Sequence, residues 1–208
     1  MEIILATRNK TKTEQIRGIF EGSNILIQTL SEASIEGEAI EDAQTLFGNA
    51  LKKTQYVREK CPGAVYPWVM ADDTGLFIRA LGGAPGVHSA RWAGENVETH
   101  DITLFTLAKL FGKSDRHATF ETAVVVLAPS GSAHFFLGRI GGTILEFERV
   151  PHQPQMPYSG LFLPEGESRV FAEMSVEEEN RISHRGIAFR KALDFLVRCE
   201  KFGLTCFV

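Results

Sequence analysis

Apolar positions along the chain alternate between short continuous runs and helically spaced stripes, which predicts strands and helices in turn. Glu2 to Ala6 is a short run of β type, and Ile16, Ile19 and Phe20 then recur at helical spacing. Asn24 to Leu30 reads as a second strand. Thr45 to Glu59 reads as a helix, with Leu46, Ala50, Leu51 and Val57 on its apolar stripe and Lys52-Lys53 on its flank. Cys61-Pro62-Gly63 should stop it. Trp68 opens an apolar strand that reaches Asp72-Asp73 and runs through Thr74-Gly75 into a turn-rich segment, Gly82 to Gly86, and then Arg91-Trp92. A helix from about Val97 to Phe111 offers Ile102, Leu104, Phe105, Ala108 and Leu110 to the core. Ala118 to Leu127 and Ala133 to Leu137, joined through Pro129-Ser130-Gly131, predict a β-hairpin, and Gly142 to Phe147 is a third run that extends the sheet. Val150 to Gly160 is a loop. Ser175 followed by Glu178 has capping-box spacing, and Ser183-His184-Arg185-Gly186 precedes a last helix from Ile187 to about Lys201. This order predicts an α/β chain with a mixed sheet. No repeat or linker divides residues 1–208, so one domain is expected.

Composition narrows the partners. The chain has 208 residues, 44% hydrophobic and 23% charged, with a formal net charge of −4. That balance argues against nucleic acid as the partner, since phosphate backbones select basic surfaces. Cys61, Cys199 and Cys206 form no CxxC spacing and fit a reducing cytoplasm. MEIILATRNK is too short in its apolar run for a signal segment, and no stretch is long enough to span a bilayer. A cytoplasmic protein with no membrane partner is the expectation.

Candidate chemistry falls in three places. Adjacent acids at the end of an apolar strand are costly to bury unless a cation neutralises them, so Asp72 and Asp73 suit Mg²⁺. The same residues also suit a solvated strand-to-turn junction. Thr7, Arg8, Asn9, Lys10, Thr11 and Lys12 stand at a helix start, where backbone N–H groups and ammonium groups favour an anion such as phosphate. An ordinary helix cap with solvated lysines is the alternative. The acidic stretch containing Glu32, Glu36, Glu38, Glu41 and Asp42 offers a further metal carboxylate. His184 and Arg185 carry donors suited to a base carbonyl or a phosphate.

Four segments give these pieces a common order: LATRNKTK at 5–12, TLFGNALKK at 45–53, ADDTGLFIRALGGAPGVHSARWAG at 71–94, and ISHRGIAFRKAL at 182–193. Together the chain resembles the inosine triphosphate pyrophosphatase family. The resemblance implies a two-lobed α/β fold with a long mixed β-sheet, flanking helices and an active-site cleft between the lobes. It implies Mg²⁺-dependent hydrolysis of non-standard purine nucleoside triphosphates (ITP, dITP, XTP) to the monophosphate and pyrophosphate, commonly by a homodimer. Thr7, Asn9, Lys12 and Lys53 match residues facing the triphosphate. Glu41 falls at a metal carboxylate, Asp73 at the general base or metal ligand, and Thr74 at a position usually held by Ser. His184 and Arg185 match the pair that reads the purine 6-oxo group.

The departures lie mostly on the base side. The family's Phe-Gly-Tyr-Asp or Phe-Gly-Trp-Asp loop aligns with Met156-Pro157-Tyr158-Ser159, so only Tyr158 keeps its character. Glu179 replaces a Lys, and Gly48 replaces the Glu that normally precedes the Asn matched by Asn49. Pyrophosphatase chemistry with altered base selectivity is one expectation. A nucleotide-binding protein of the same fold with weakened or lost catalysis is the other.

Overall fold

A computed structural model describes residues 1–61, 66–94 and 97–202. Pro62 and Gly63 of the expected helix stop, and Cys206, lie outside the described residues. The chain begins with β1 (Glu2–Leu5), α1 (Lys10–Phe20), β2 (Leu26–Thr29) and α2 (Leu46–Lys60). Then come β3 (Trp68–Ile78), β4 (Pro85–Gly86), α3 (Thr99–Lys109), β5 (His117–Leu127) and β6 (Ala133–Ile144). β7 (Phe162–Pro164), α4 (Val176–Ile182) and α5 (His184–Phe202) complete it. The strands form one mixed sheet in the order β2-β1-β3-β5-β6-β7, with β4 paired to β3. β1 is parallel to β2 and β3, whereas β3, β5, β6 and β7 run antiparallel in turn.

Strand alternation sorts the core onto two faces. Ile3, Leu5, Met70, Val124 and Val126 pack with Ile16 and Phe20 of α1 and with Phe189, Ala192 and Leu196 of α5. Ile4, Val69, Ala71 and Leu127 pack on the opposite face with Val57 of α2. The far ends of β3, β5 and β6 build a second lobe: Leu76, Ile78, Phe120 and Ile144 join Ile102 of α3, Tyr158, Phe162 and Phe171. At ~25 cal/mol per Å² of apolar surface, residues buried as completely as Ile3, Leu5 and Phe189 stabilise by roughly 1.5–3 kcal/mol each.

The expected hairpin is present, with Leu127 paired to Ala133. Four expectations need correction. Asp72 and Asp73 lie mid-strand, because β3 continues to Ile78 against β5. Gly142 to Phe147 is no separate strand: β6 runs unbroken to Ile144, and the glycines admit β7, whose Leu163 carbonyl and Phe162 ring occupy the space a Cβ on Gly142 would fill. Leu104 and Ala108 are exposed, since α3 turns Thr103 and Thr106 inward and satisfies their hydroxyls on the carbonyls of Pro157 and Ile102. The last helix begins at His184 rather than Ile187, so His184 and Arg185 form its first turn.

Candidate active site

β3 carries the two acids to different neighbours. Asp72 points to the α1/α5 face, where its Oδ2 lies 2.7 Å from Lys12 Nζ and accepts from Thr74 Oγ1 at 3.3 Å. Asp73 points to the α2 face, accepting from Asn49 Nδ2 at 3.0 Å and lying 3.5 Å from Lys53 Nζ. Lys53 also donates to the Asp72 carbonyl at 3.1 Å and reaches Glu41 Oε2 at 2.8 Å. Asn49 is buried because it serves two partners, its Oδ1 accepting from Ala43 N. Arg91 donates to the Glu41 carbonyl at 2.8 Å and so holds the acidic segment over Lys53.

Burial acts on all of these charges, and the neighbours decide the outcome. For Asp72, burial opposes ionisation, but Lys12, Arg185 and Lys53 outweigh it and hold the carboxyl down to about 2. Asp73 is buried with weaker compensation, and its pKa is raised. Burial lowers the Lys12 pKa against the pull of Asp72. It works against the Lys53 charge too, yet Asp73, Glu41 and Asp72 together leave that pKa raised.

These groups border a cavity of about 450 Å³ between the lobes. Asn9 caps α1 by accepting from Lys12 N at 2.9 Å, so the cap and the candidate anion loop are the same residues. Thr7, Arg8, Asn9, Lys12, Glu41, Lys53, Asp73 and Thr74 line the cavity at this end. Arg8 also bonds the carbonyls of Ile35 and Gly37. Lys10 is exposed and Thr11 donates to the Pro154 carbonyl; neither lines the cavity, and neither does Asp72. Asp72 instead fixes Lys12.

Met156, Pro157, Tyr158, Ser159, Glu179, His184 and Arg185 line the other end. Met156 to Ser159 is a self-bonded turn, with Ser159 Oγ accepting from Gln153 N at 2.7 Å and donating to the Met156 carbonyl at 2.9 Å. Tyr158 donates to the Ser89 carbonyl at 2.9 Å, and burial pushes its phenol up. Arg185 is buried, donating to Gln15 Oε1 at 2.6 Å, with Glu179 Oε1 at 3.9 Å. Burial raises the Glu179 carboxyl, while Arg185 and a hydrogen bond from Gln153 oppose the shift. Burial, aided by Arg185 and Lys12, drives the His184 pKa well below its usual value, so this imidazole is neutral. Its ring stacks on Phe120 with centroids 4.5 Å apart, and its buried Nδ1 has no hydrogen-bond partner among the described residues. Phe120 and Gln153, both lining the cavity, and Gln15, which accepts from Arg185, join the site on structural grounds alone, while Asn49 and Arg91, named in the sequence without a role, brace it through Asp73 and the Glu41 carbonyl. Phe120 supplies a second aromatic wall beside Tyr158, their ring centroids 6.0 Å apart. A polar residue inside the apolar stripe of α2 is the sequence signal that could have found the role of Asn49.

Comparison with known proteins fits this geometry. The Ham1 family model matches residues 3–195. A dITP/XTP pyrophosphatase from Porphyromonas gingivalis is 39% identical over 202 residues, covering 96% of this chain and 99% of that protein. A dITP/XTP pyrophosphatase from Caldanaerobacter subterraneus is 34% identical over 201 residues, covering 95% and 97%. The solved HAM1 protein of Coxiella burnetii superposes with a TM-score of 0.82 at 28% identity, covering 95% of this chain and 99% of its own. The Staphylococcus aureus Ham1 protein gives 0.80 at 28% identity, with 94% and 98% covered. With a matched model over nearly its whole length and relatives above one-third identity, the chain belongs to the Ham1 family.

Proposed function

We propose that this chain is a nucleoside triphosphate pyrophosphatase that hydrolyses ITP, dITP and XTP to the monophosphate and pyrophosphate. The observation that carries the proposal is the polarity of the cavity. Ammonium groups, carboxylates and a helix N-terminus stand at one end, and a neutral His184, Arg185 and Phe120 at the other. The names of the 34–39% identical relatives support the same reading.

The triphosphate lies along Thr7, Asn9, Lys12 and Lys53, where N–H donors and ammonium groups offset its charge. Asp73 orients water and takes its proton as the water oxygen attacks phosphorus. The α–β anhydride bond breaks, and pyrophosphate leaves. Burial raises Asp73, which makes it a better proton acceptor, and Asn49 keeps one of its oxygens fixed. Asp73 and Glu41 present hard oxygen donors around one lysine, and this donor set fits Mg²⁺. When bound, Mg²⁺ would neutralise phosphate oxygens and leaving-group charge. The unpartnered His184 Nδ1 and the Arg185 donors suit a purine O6 acceptor; adenine presents an amino group there instead. With Met156, Ser159 and Glu179 on that wall, base selectivity is altered from the usual family pattern. A homodimer in the cytoplasm belongs to the same proposal.

Asp73→Asn tests it. Pyrophosphate release with Mg²⁺ should fall by about 10²–10⁴ while nucleotide binding persists. No release from wild type on any purine triphosphate would favour a binding protein without catalysis. Rates on ITP, XTP, dITP and the four common triphosphates test selectivity; full-rate ITP and XTP preference would refute the altered-selectivity part.

A further inference from the structure

Outside that cavity, one cluster has ligand chemistry of its own. His100, in the first turn of α3, meets Glu148 and His152 from the segment between β6 and β7. One nitrogen from each imidazole and one carboxylate oxygen lie within 4.8 Å of one another. Glu148 divides its oxygens between the two rings, Oε1 at 2.9 Å from His152 Nδ1 and Oε2 at 3.8 Å from His100 Nδ1. The ring centroids are 6.1 Å apart.

Two members are held in place beforehand. Arg149 N donates to the Gly160 carbonyl at 3.0 Å, and a Cβ on Gly160 would meet the Val150 carbonyl. The chain therefore folds tightly behind Glu148 and His152. The Arg149 guanidinium is turned away, bonded to Ser168 and Glu173, so no cation competes for Glu148 from that side chain. His100 is more than half exposed and can rotate inward.

We propose that His100, Glu148 and His152 form a binding site for a late first-row divalent ion of the zinc class. Two imidazoles and one carboxylate select such ions, whereas Mg²⁺ prefers all-oxygen sites such as Asp73 and Glu41. Tetrahedral ligand atoms around zinc are roughly 3.3 Å apart, so closure from a spacing of at most 4.8 Å needs a movement of up to about 1.5 Å, chiefly by His100. The bound ion ties the start of α3 to the segment that carries Met156–Ser159. α3 already contacts that segment where Thr103 donates to the Pro157 carbonyl, and its Thr99 and Ile102 line the cavity. The ion therefore stiffens the wall opposite the phosphate end. This site is independent of the nucleotide reading.

Untagged protein, stripped with chelator and kept in excess Mg²⁺ to fill oxygen sites, is titrated with Co²⁺ and followed by its visible d–d absorption. One equivalent should bind with nitrogen-ligand bands and be displaced by Zn²⁺. His100→Ala and His152→Ala should each weaken binding by at least about tenfold. Glu148→Gln, which keeps a hydrogen bond to His152, provides a variant in case either alanine fails to fold, and should weaken binding similarly. Absence of d–d bands, or equal affinity in wild type and the His100→Ala/His152→Ala double variant, would overturn the site. Because no nucleotide is present, either result leaves the pyrophosphatase proposal untouched.

Discussion

Replacing Asp72 by Asn isolates the ion pair that fixes the cavity floor. Asp72 is 1% exposed, and its partner ammonium lies 2.7 Å away. The carboxyl falls from its usual 3.8 to about 2 on folding. That difference of roughly two units corresponds to about 2–3 kcal/mol of stability. Because the folded pKa lies below the unfolded one, this contribution is complete above the unfolded value and is lost as pH falls through about 2. The substitution also leaves the Lys12 ammonium buried against Arg185 and Lys53, and breaking one partner of a buried pair costs about 3–5 kcal/mol. The expected loss at neutral pH is therefore about 2–5 kcal/mol, bounded above by deprotonation of Lys12. Urea denaturation of wild type and variant across a pH series measures it. Glu32 and Glu178, also held down to about 2, titrate in the same window, but they are present in both proteins and cancel in the difference. The wild-type advantage should shrink as pH drops toward about 2. A loss under about 1 kcal/mol, or a difference that stays flat with pH, would refute the reasoning. Adding Lys12→Met to the variant should recover part of the stability.

Two further substitutions probe the base end. A Cβ on Gly138 would overlap the His184 carbonyl and lie 2.7 Å from Ala188 N, so Gly138→Ala must push the first turn of α5 off β6. It should cost about 1–3 kcal/mol and raise KM for ITP, and an unchanged melting temperature would contradict this. Glu179→Gln keeps an acceptor for Gln153 while removing negative charge beside Arg185. KM for ITP should fall several-fold with kcat nearly unchanged, about 1 kcal/mol at most; a rise in KM would contradict the argument.

Periodicity made the elements around the phosphate end legible because each is long enough to show it: α1 behind its polar cap, the stripe of α2, the β5–β6 hairpin. β4 and β7 were not legible, since strands of two and three residues carry no period. The buried polar partners were hidden for a different reason. Gln15 meets Arg185 and Asn180 across 170 and 165 positions, and a single sequence holds no trace of such pairings. The start of α5 was misplaced because Ser183-His184-Arg185-Gly186 reads locally as polar surface. The structure buries Ser183, His184 and Arg185 because Gly138 and Gly186 let backbones approach where a Cβ would collide.

The adjacency of Asp72 and Asp73 suggested one shared metal site, and strand geometry separates them. A period of two sends neighbouring side chains to opposite faces, so the same residue type meets two environments. Asp72 faces α1, where Lys12 helps hold its pKa down to about 2. Asp73 faces α2, where burial outweighs Lys53 and Asn49 and raises its pKa. In the proposed mechanism, two titratable groups pushed apart in this way would divide the work between a fixed charge and a proton acceptor. Asp72 is then a positioning residue that holds Lys12 against the cavity, and Asp73 is the carboxylate that borders it. The two ends of the cavity are also built differently: the phosphate end depends on interlocked buried charges, whereas the Met156–Ser159 turn is closed by the Ser159 hydroxyl, which accepts from Gln153 N and donates to the Met156 carbonyl.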